Sequence, residues 1–216
     1  MTSLFERIFG RRTEVVRIET PPAVEPDPNE QIGWLLDSIR LDVGSGFYDE
    51  DAILTRAIDS LEDEIDPAVL RGEAQRLLRE ALIDHKEAQR GWPARTDCDR
   101  LDDAFAALEA TGVIARQHFT CCGTCGAAEI WDEIEAVHEA GGPTRGYAFY
   151  HVQDTESAVE GHGLCLNYGA CEEGEEAALA VARDIVTHLE AHGLRTEWNG
   201  SWSKRVAVSL DWKRRR

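Results

Sequence analysis

The spacing of the apolar residues changes once along this chain, at Gly112. From residue 30 to residue 111 apolar side chains recur at helical intervals, which predicts four helices. After Gly112 short alternating stretches predict strands, with two helical stripes between them, in the order β-α-β-β-α-β-β. Consecutive strands joined by short turns pair antiparallel. We therefore predict an α+β fold: a helical N-terminal half packed on a small, mostly antiparallel sheet with two helices.

A proline-rich stretch precedes the first predicted helix. Four prolines lie close together just before residue 30, which is typical of an extended linker. We therefore predict an N-terminal segment and linker at residues 1–29, followed by a single α+β domain at residues 30–212. Within that domain the helical part spans residues 30–111 and the sheet part spans residues 112–212.

The net charge of the chain is −18, and the negative charge is concentrated in its body. Residues 1–19 carry a net +1 and residues 204–216 a net +5, which leaves −24 on residues 20–203. Such a body repels a phosphate backbone, so we expect no nucleic-acid partner, and charge favours a basic protein as partner. The basic residues at the end, Lys213 to Arg216, are expected to form a solvated terminus.

Hydropathy and cysteine usage bear on the compartment. No stretch approaches the roughly 20 apolar residues of a membrane span, and the first ten residues lack the apolar run of a secretory signal. We therefore expect a cytoplasmic protein with no membrane partner. In that reducing compartment six cysteines do not indicate a disulfide framework. Two of them, Cys165 and Cys171, are expected to be incidental.

Three of the six cysteines lie in the stretch CCGTC at residues 121–125, between a predicted strand and a predicted helix. The two-residue gap between Cys122 and Cys125 is typical of zinc sites, and a structural zinc ion takes four ligands. The stretch therefore suggests a metal site with zinc as its cofactor. The best candidates for the further ligands are Cys98, Cys121 and His118.

Two other interpretations of the cysteine stretch stay open. If Cys122 lies at the N-terminus of the helix, the exposed amides and the helix dipole favour its thiolate, and Cys125 would be the resolving thiol of a thiol-disulfide oxidoreductase. The acidic surroundings oppose this, because negative charge raises the pKa of a thiol. The plainest alternative is that the three thiols pack a tight turn and bind nothing.

His151 is the centre of a second candidate site. It shares one face of a predicted strand with Tyr147 and Phe149, and Asp154 and Glu156 follow the strand. A histidine beside two carboxylates is typical of a general base or a metal ligand. We favour a structural role instead. On that interpretation His151 is buried, and the turn carries both carboxylates away from its ring.

Two strings stand out in these stretches: CCxxCG at residues 121–126 and GYxFYHxQDTE at residues 146–156. Together with TDCDRL at residues 96–101 and the closing Trp198-Asn199-Gly200, they resemble an uncharacterised bacterial domain-of-unknown-function family. The resemblance spans residues 30 to 212. It implies a bacterial, cytosolic protein and marks both candidate sites, but it implies no activity.

The leading functional hypothesis is a non-enzymatic binding or interaction module, whose cysteine cluster is structural and holds zinc if it holds a metal. The first alternative is a thiol-disulfide oxidoreductase that uses Cys122 and Cys125. The second alternative, which rests on net charge alone, is an inhibitor-like partner of a basic protein.

Overall fold

The computed structural model describes residues 28–61 and 65–216, so the predicted segment and linker lie almost wholly outside it. The described residues form seven helices and five strands, and none of these helices is both long and apolar enough to cross a membrane. In chain order the elements are α1 (Pro28–Ser45), α2 (Glu50–Asp59), α3 (Pro67–Gln89), α4 (Asp97–Glu109), β1 (Val113–Arg116), α5 (Gly123–Glu139), β2 (Gly146–Phe149), α6 (Val152–Val159), β3 (Leu164–Ala170), α7 (Glu175–Ala191), β4 (Arg195–Glu197) and β5 (Val206–Ser209).

The five strands form one mixed sheet in the order β1-β2-β3-β5-β4. Only β1 and β2 run parallel, because α5 carries the chain back between them, and the other three neighbouring pairs are antiparallel. The helical N-terminal half packs against this sheet part of the chain. The predicted α+β class and the mostly antiparallel sheet are therefore confirmed.

The sheet part contains a third helix, α6. For these residues the sequence pattern predicted the end of a strand and a short turn. Strand β2 ends at Phe149, and His151 is the N-cap of α6. Its Nδ1 accepts a hydrogen bond from the amide of Asp154, and the carboxylate of Asp154 accepts one from the amide of His151, each at 3.3 Å. This reciprocal capping starts a helix, so the prediction that His151 lies within the strand is wrong.

The two faces of the sheet are covered by different helices. Alternate residues of β1, Val113 and Ala115, belong to a core shared with α4 and α7, whereas Ile114 packs with Ile130 and Phe149 beneath α5. The helical half has a core of its own, built from α1, α2 and α3. Within the described residues, the two larger of these three clusters, one in the helical half and one beneath α4 and α7, therefore have to be joined.

The C-terminal residues join the helical half to the sheet half. Trp212 donates a hydrogen bond from Nε1 to the carbonyl of Gly44 at 3.0 Å, and Arg214 forms two bonds to the carboxylate of Asp102. Arg215 pairs with Asp99. Arg216 donates to the backbone carbonyls of Val43 and Tyr48. Three of the four basic residues at the C-terminus therefore bond to acceptors of the domain, and the prediction of a solvated terminus is wrong.

Candidate functional site

The turn that leads into α5 positions the cysteine cluster. After β1 the chain stays beside the segment that follows β2: the amide of Phe119 donates to the carbonyl of Tyr150 at 2.8 Å, and the amide of Val152 donates to that of Thr120 at 3.1 Å. His118 and Thr120 have positive φ angles of 51° and 59°. Left-handed backbone at residues other than glycine costs of order 1 kcal/mol or more, so the surrounding contacts hold this turn in a strained shape.

The turn brings three sulfurs together. Cys122 is the N-cap of α5, and its Sγ atom lies with those of Cys121 and Cys125 in a group whose members are all within 4.8 Å of one another. The Sγ atoms of Cys121 and Cys125 are 3.5 Å apart. Cys121 is exposed and the other two are half-buried. Among the described residues no further histidine, cysteine or carboxylate joins this group.

The pKa values of two thiols of the cluster are shifted in opposite directions. Hydrogen bonds to its sulfur lower the pKa of Cys122. The largest effect comes from the amide of Cys125, followed by the thiol of Cys125 and the amide of Thr124. The pKa of Cys125 is raised to about 11, because its sulfur contacts the sulfurs of Cys121 and Cys122. The hydrogen bonds and the free amides of the helix N-terminus therefore favour the charged form of Cys122 over that of Cys125.

Cys98 lies outside the cluster. It sits in the first turn of α4 and is almost completely buried, next to the C-terminal residues Lys213 and Arg214. Burial raises the pKa of its thiol to about 11. Cys98 therefore behaves as a small neutral core residue, and the turn before α5 does not bring it to the other cysteines.

His118 also lies outside the group of sulfurs, although it precedes them in the sequence by only a few residues. Its ring stacks on Phe47 with centroids 4.4 Å apart, and its Nδ1 lies 2.9 Å from the hydroxyl of Thr155. Burial, with Arg56 and Arg214 nearby, lowers the pKa of His118 to about 4. The same two arginines would repel a metal cation, so this ring fits the junction between the halves better than a metal site.

His151 and Asp154 are brought together, in contrast to the expected separation. Because Nδ1 accepts from an amide, the neutral ring carries its hydrogen on Nε2, which lies 3.0 Å from Oδ2 of Asp154. Arg205 pairs with Oδ1 of the same carboxylate at 3.0 Å. Burial lowers the pKa of His151; the carboxylate opposes this shift and Arg205 adds to it. The expected burial is observed, but the expected absence of a carboxylate contact is wrong.

Glu156 is not part of this arrangement. Its carboxylate is half-buried, which raises its pKa, and its charged neighbours are Asp42 and Arg56 of the helical half. Helix α6 explains the difference, because residues 154 and 156 of a helix point about 200° apart, whereas an extended chain would have kept them on one side. Of the three residues of the second candidate site, only His151 and Asp154 therefore meet.

The two candidate sites adjoin each other. A Cβ atom added at Gly123, the residue after Cys122, would lie 3.6 Å from Nε2 of His151 and 3.9 Å from Oδ1 of Asn167. Neither Asn167 nor Arg205 was among the predicted site residues. Arg205 meets Asp154 across 51 positions of sequence, and no local pattern marks such a pair.

No curated protein and no solved structure matches this chain. A family described as a domain of unknown function (DUF6891) matches residues 28–216, which include α1 to β5, the cysteine cluster and the pair of His151 and Asp154. The resemblance noted in the sequence is thus confirmed at the level of a domain of unknown function. The chain belongs to the DUF6891 family.

Proposed function

We propose that this protein is a non-enzymatic binding module whose three-cysteine cluster holds a thiophilic divalent metal ion, most simply zinc. The observation that carries the proposal is the group of three sulfurs within 4.8 Å of one another. Zn–S bonds of about 2.3 Å in tetrahedral geometry place sulfurs about 3.8 Å apart, so the cluster needs only small side-chain movements to bind. Thiolates also select soft ions over magnesium and calcium.

The cluster offers three protein ligands, Cys121, Cys122 and Cys125. A structural zinc ion takes four protein ligands, whereas three with one open position are typical of catalytic zinc sites. In a non-enzymatic module the fourth position would be filled by water or by a ligand from the binding partner. The thiols must lose their protons when the metal binds. Because the pKa of Cys125 is raised to about 11, metal affinity should rise steeply with pH.

Metal analysis of the protein, purified without a chelator or a metal-carrying tag, tests this proposal. We expect about one equivalent of zinc per chain, and thiolate-to-metal charge-transfer bands after cobalt substitution. Cys121→Ser, Cys122→Ser and Cys125→Ser should each weaken binding by more than the ~10–100-fold that changes outside the ligand shell cost. Cys165→Ser is the matched control, since Cys165 is half-buried but outside the group. Equal loss in the control, or no metal uptake at all, would contradict the proposal.

A second candidate function is thiol-disulfide exchange, which the unequal pKa values of Cys122 and Cys125 favour. The Cys122 thiolate would attack one sulfur of a substrate disulfide and release the other as a thiolate, which takes up a proton. Cys125 would lose its proton and attack Cys122, which releases the second substrate thiolate. The substrate is reduced and the protein is left with a disulfide, so an external dithiol has to reduce it again.

Alkylation kinetics test this second function. If Cys122 is the working nucleophile, its alkylation rate should follow an apparent pKa below the ~8.5 of a free cysteine, and Cys122→Ser should remove the fast phase. Cys171→Ser is the control, because burial raises the pKa of that thiol. If Cys122 is alkylated no faster than a free cysteine, the oxidoreductase is excluded. If both functions use the same sulfurs, saturating zinc should suppress the fast phase of alkylation.

A basic protein as partner and a cytoplasmic location are proposals that rest mainly on the composition of the chain. The net charge of −18 supports a basic protein as partner and opposes nucleic acid. The ion pairs of Arg214 and Arg215 with Asp102 and Asp99 support the same expectation, because they occupy side chains that a phosphate backbone would need. A cytoplasmic location, where free thiols stay reduced, fits a chain in which all six cysteines are unpaired.

A further inference from the structure

An aromatic groove runs along the sheet beside α5. It begins at a cavity of about 200 Å³ whose walls include Tyr147, Asn167, Tyr168, Trp202 and Arg205. A second cavity of about 450 Å³ adjoins the first, and three residues line both of them: Tyr147, Tyr168 and Trp202. We call the two cavities together the aromatic groove. Ligand sites are concave and combine aromatic side chains with convergent polar groups. This groove combines Tyr147 and Trp202 with the polar side chains of Asn167, Lys204 and Arg205.

The floor of the groove is held in place by contacts within the sheet. Tyr147 faces Gly169 on the neighbouring strand, and a Cβ atom at Gly169 would lie 2.5 Å from the Tyr147 hydroxyl. The missing side chain therefore lets the tyrosine ring lie across β3. The hydroxyl of Tyr168 lies 3.2 and 3.1 Å from the carbonyls of Ser201 and Lys204, which fixes the loop that carries Trp202.

One end of the groove carries positive charge in a strongly acidic chain. Lys204 and Arg205 line that end, and Lys204 is exposed and pairs with no acid among the residues of the described range. Asn167 lines the same cavity, and its Nδ2 atom is buried and has no hydrogen-bond partner. Nη1 of Arg205 is already paired with Asp154, which leaves its other guanidinium nitrogens for a ligand. The unpaired Lys204, those remaining donors of Arg205 and the unsatisfied amide are together complementary to one anionic group.

The other end of the groove limits what its occupant can be. It is lined by Glu172 and Glu173, which would repel a second negative charge. Between the two ends Trp202 is 56% exposed, so one indole face is free to stack on a flat ring. A ligand with one anionic group and one ring system therefore fits this surface better than a polyanion does.

We propose that the aromatic groove binds a small planar anion, whose ring stacks against Trp202 and Tyr147 and whose carboxylate or phosphate binds Lys204, Arg205 and Asn167. The site is independent of the proposed metal function, because none of these residues belongs to the sulfur group. It lies beside that group, however, since Asn167 adjoins Gly123 at the start of α5.

Tryptophan fluorescence of the full chain tests the proposal. Adenosine monophosphate and phenylacetate are the two anionic probes, one for each acidic group, and adenosine and inorganic phosphate are the controls that lack one half of the ligand. We expect saturable quenching by at least one anionic probe, at least about tenfold tighter than by either control. Trp202→Phe should remove most of the quenching, whereas Trp34→Phe should not, because Trp34 is exposed on α1.

A charge reversal at the basic end gives the second readout. Lys204→Glu should weaken binding of the anionic probe about tenfold or more. Lys86→Glu is its matched control, an exposed lysine of α3 that changes net charge by the same amount. Equal weakening by both variants, or no saturable quenching by either anionic probe, would overturn the proposal. If adenosine monophosphate is the probe that binds, equal affinity for adenosine would overturn it as well. Zinc content measured on the same samples keeps this outcome separate from that of the metal function.

Discussion

Arg214→Ala should destabilise the protein by about 2–3 kcal/mol. The guanidinium binds both carboxylate oxygens of Asp102, at 2.8 and 3.1 Å, and lies 4.5 Å from the ring centre of Phe47. Its side chain is only 15% exposed, whereas that of Asp102 is 43% exposed. Breaking a fully buried pair costs roughly 3–5 kcal/mol, and the exposed carboxylate lowers that figure here. The loss is large because this residue lies where the two halves meet.

Chemical denaturation measures this effect, with the next residue in the chain as the matched control. Arg215 pairs with Asp99, but its side chain is 37% exposed and its partner's 43%, so Arg215→Ala should cost less than about 1 kcal/mol. Arg214→Lys should fall between the two alanine variants, since lysine keeps the charge but cannot form the planar bidentate contact. If Arg214→Ala is no more destabilising than Arg215→Ala, the C-terminal residues do not join the two halves.

Gly126→Ala should destabilise the protein by about 2–3 kcal/mol and disturb the cysteine cluster as well. Gly126 lies in the first turns of α5, where the helix faces the ring of Phe149 in β2. A Cβ atom there would lie 2.4 Å from Cε2 of Phe149, whose ring is 1% exposed and packed with Ile114 and Ile130. Either the buried ring or the helix has to move, and overpacking of this kind costs about 1–3 kcal/mol.

The same substitution at Gly72 should have the opposite sign. Gly72 lies on the exposed side of α3, and a Cβ atom there would meet nothing within 4 Å. Gly72→Ala should therefore stabilise the protein by up to about 1 kcal/mol, because alanine is the better helix former. Metal affinity should fall in Gly126→Ala and stay unchanged in Gly72→Ala. Stabilisation by Gly126→Ala would mean that α5 does not press against Phe149.

Local patterns in the sequence were enough to predict most helices and the fold class. The apolar spacing of α1 to α4 reflects helices that bury one face, and the alternation in β3 reflects a strand with two different faces. The change at Gly112 marks the point where the apolar spacing of helices gives way to the alternating pattern of strands. Such signals lie within a few residues of each other, so they can be recognised without knowledge of the fold.

Helix α6 shows where local patterns failed. Aromatic and β-branched residues before His151 favour a strand, and histidine is not among the residues that usually begin a helix. Only the reciprocal bonds between His151 and Asp154, with Arg205 on the same carboxylate, make this a helix start. That geometry brought a carboxylate to the histidine ring and turned Glu156 away from it.

The sequence by itself determined that this protein is α+β, that a helical half precedes the sheet part, and that three cysteines share one turn, because each of these rests on neighbours in the chain. Only the tertiary structure decided which distant groups meet. It left Cys98 and His118 outside the cluster of sulfurs, anchored the basic C-terminal residues on Asp99 and Asp102, and placed Asn167 beside Gly123. The physical reason is that such contacts depend on how helices and strands pack, and packing energy is spread over many residues that no short pattern contains.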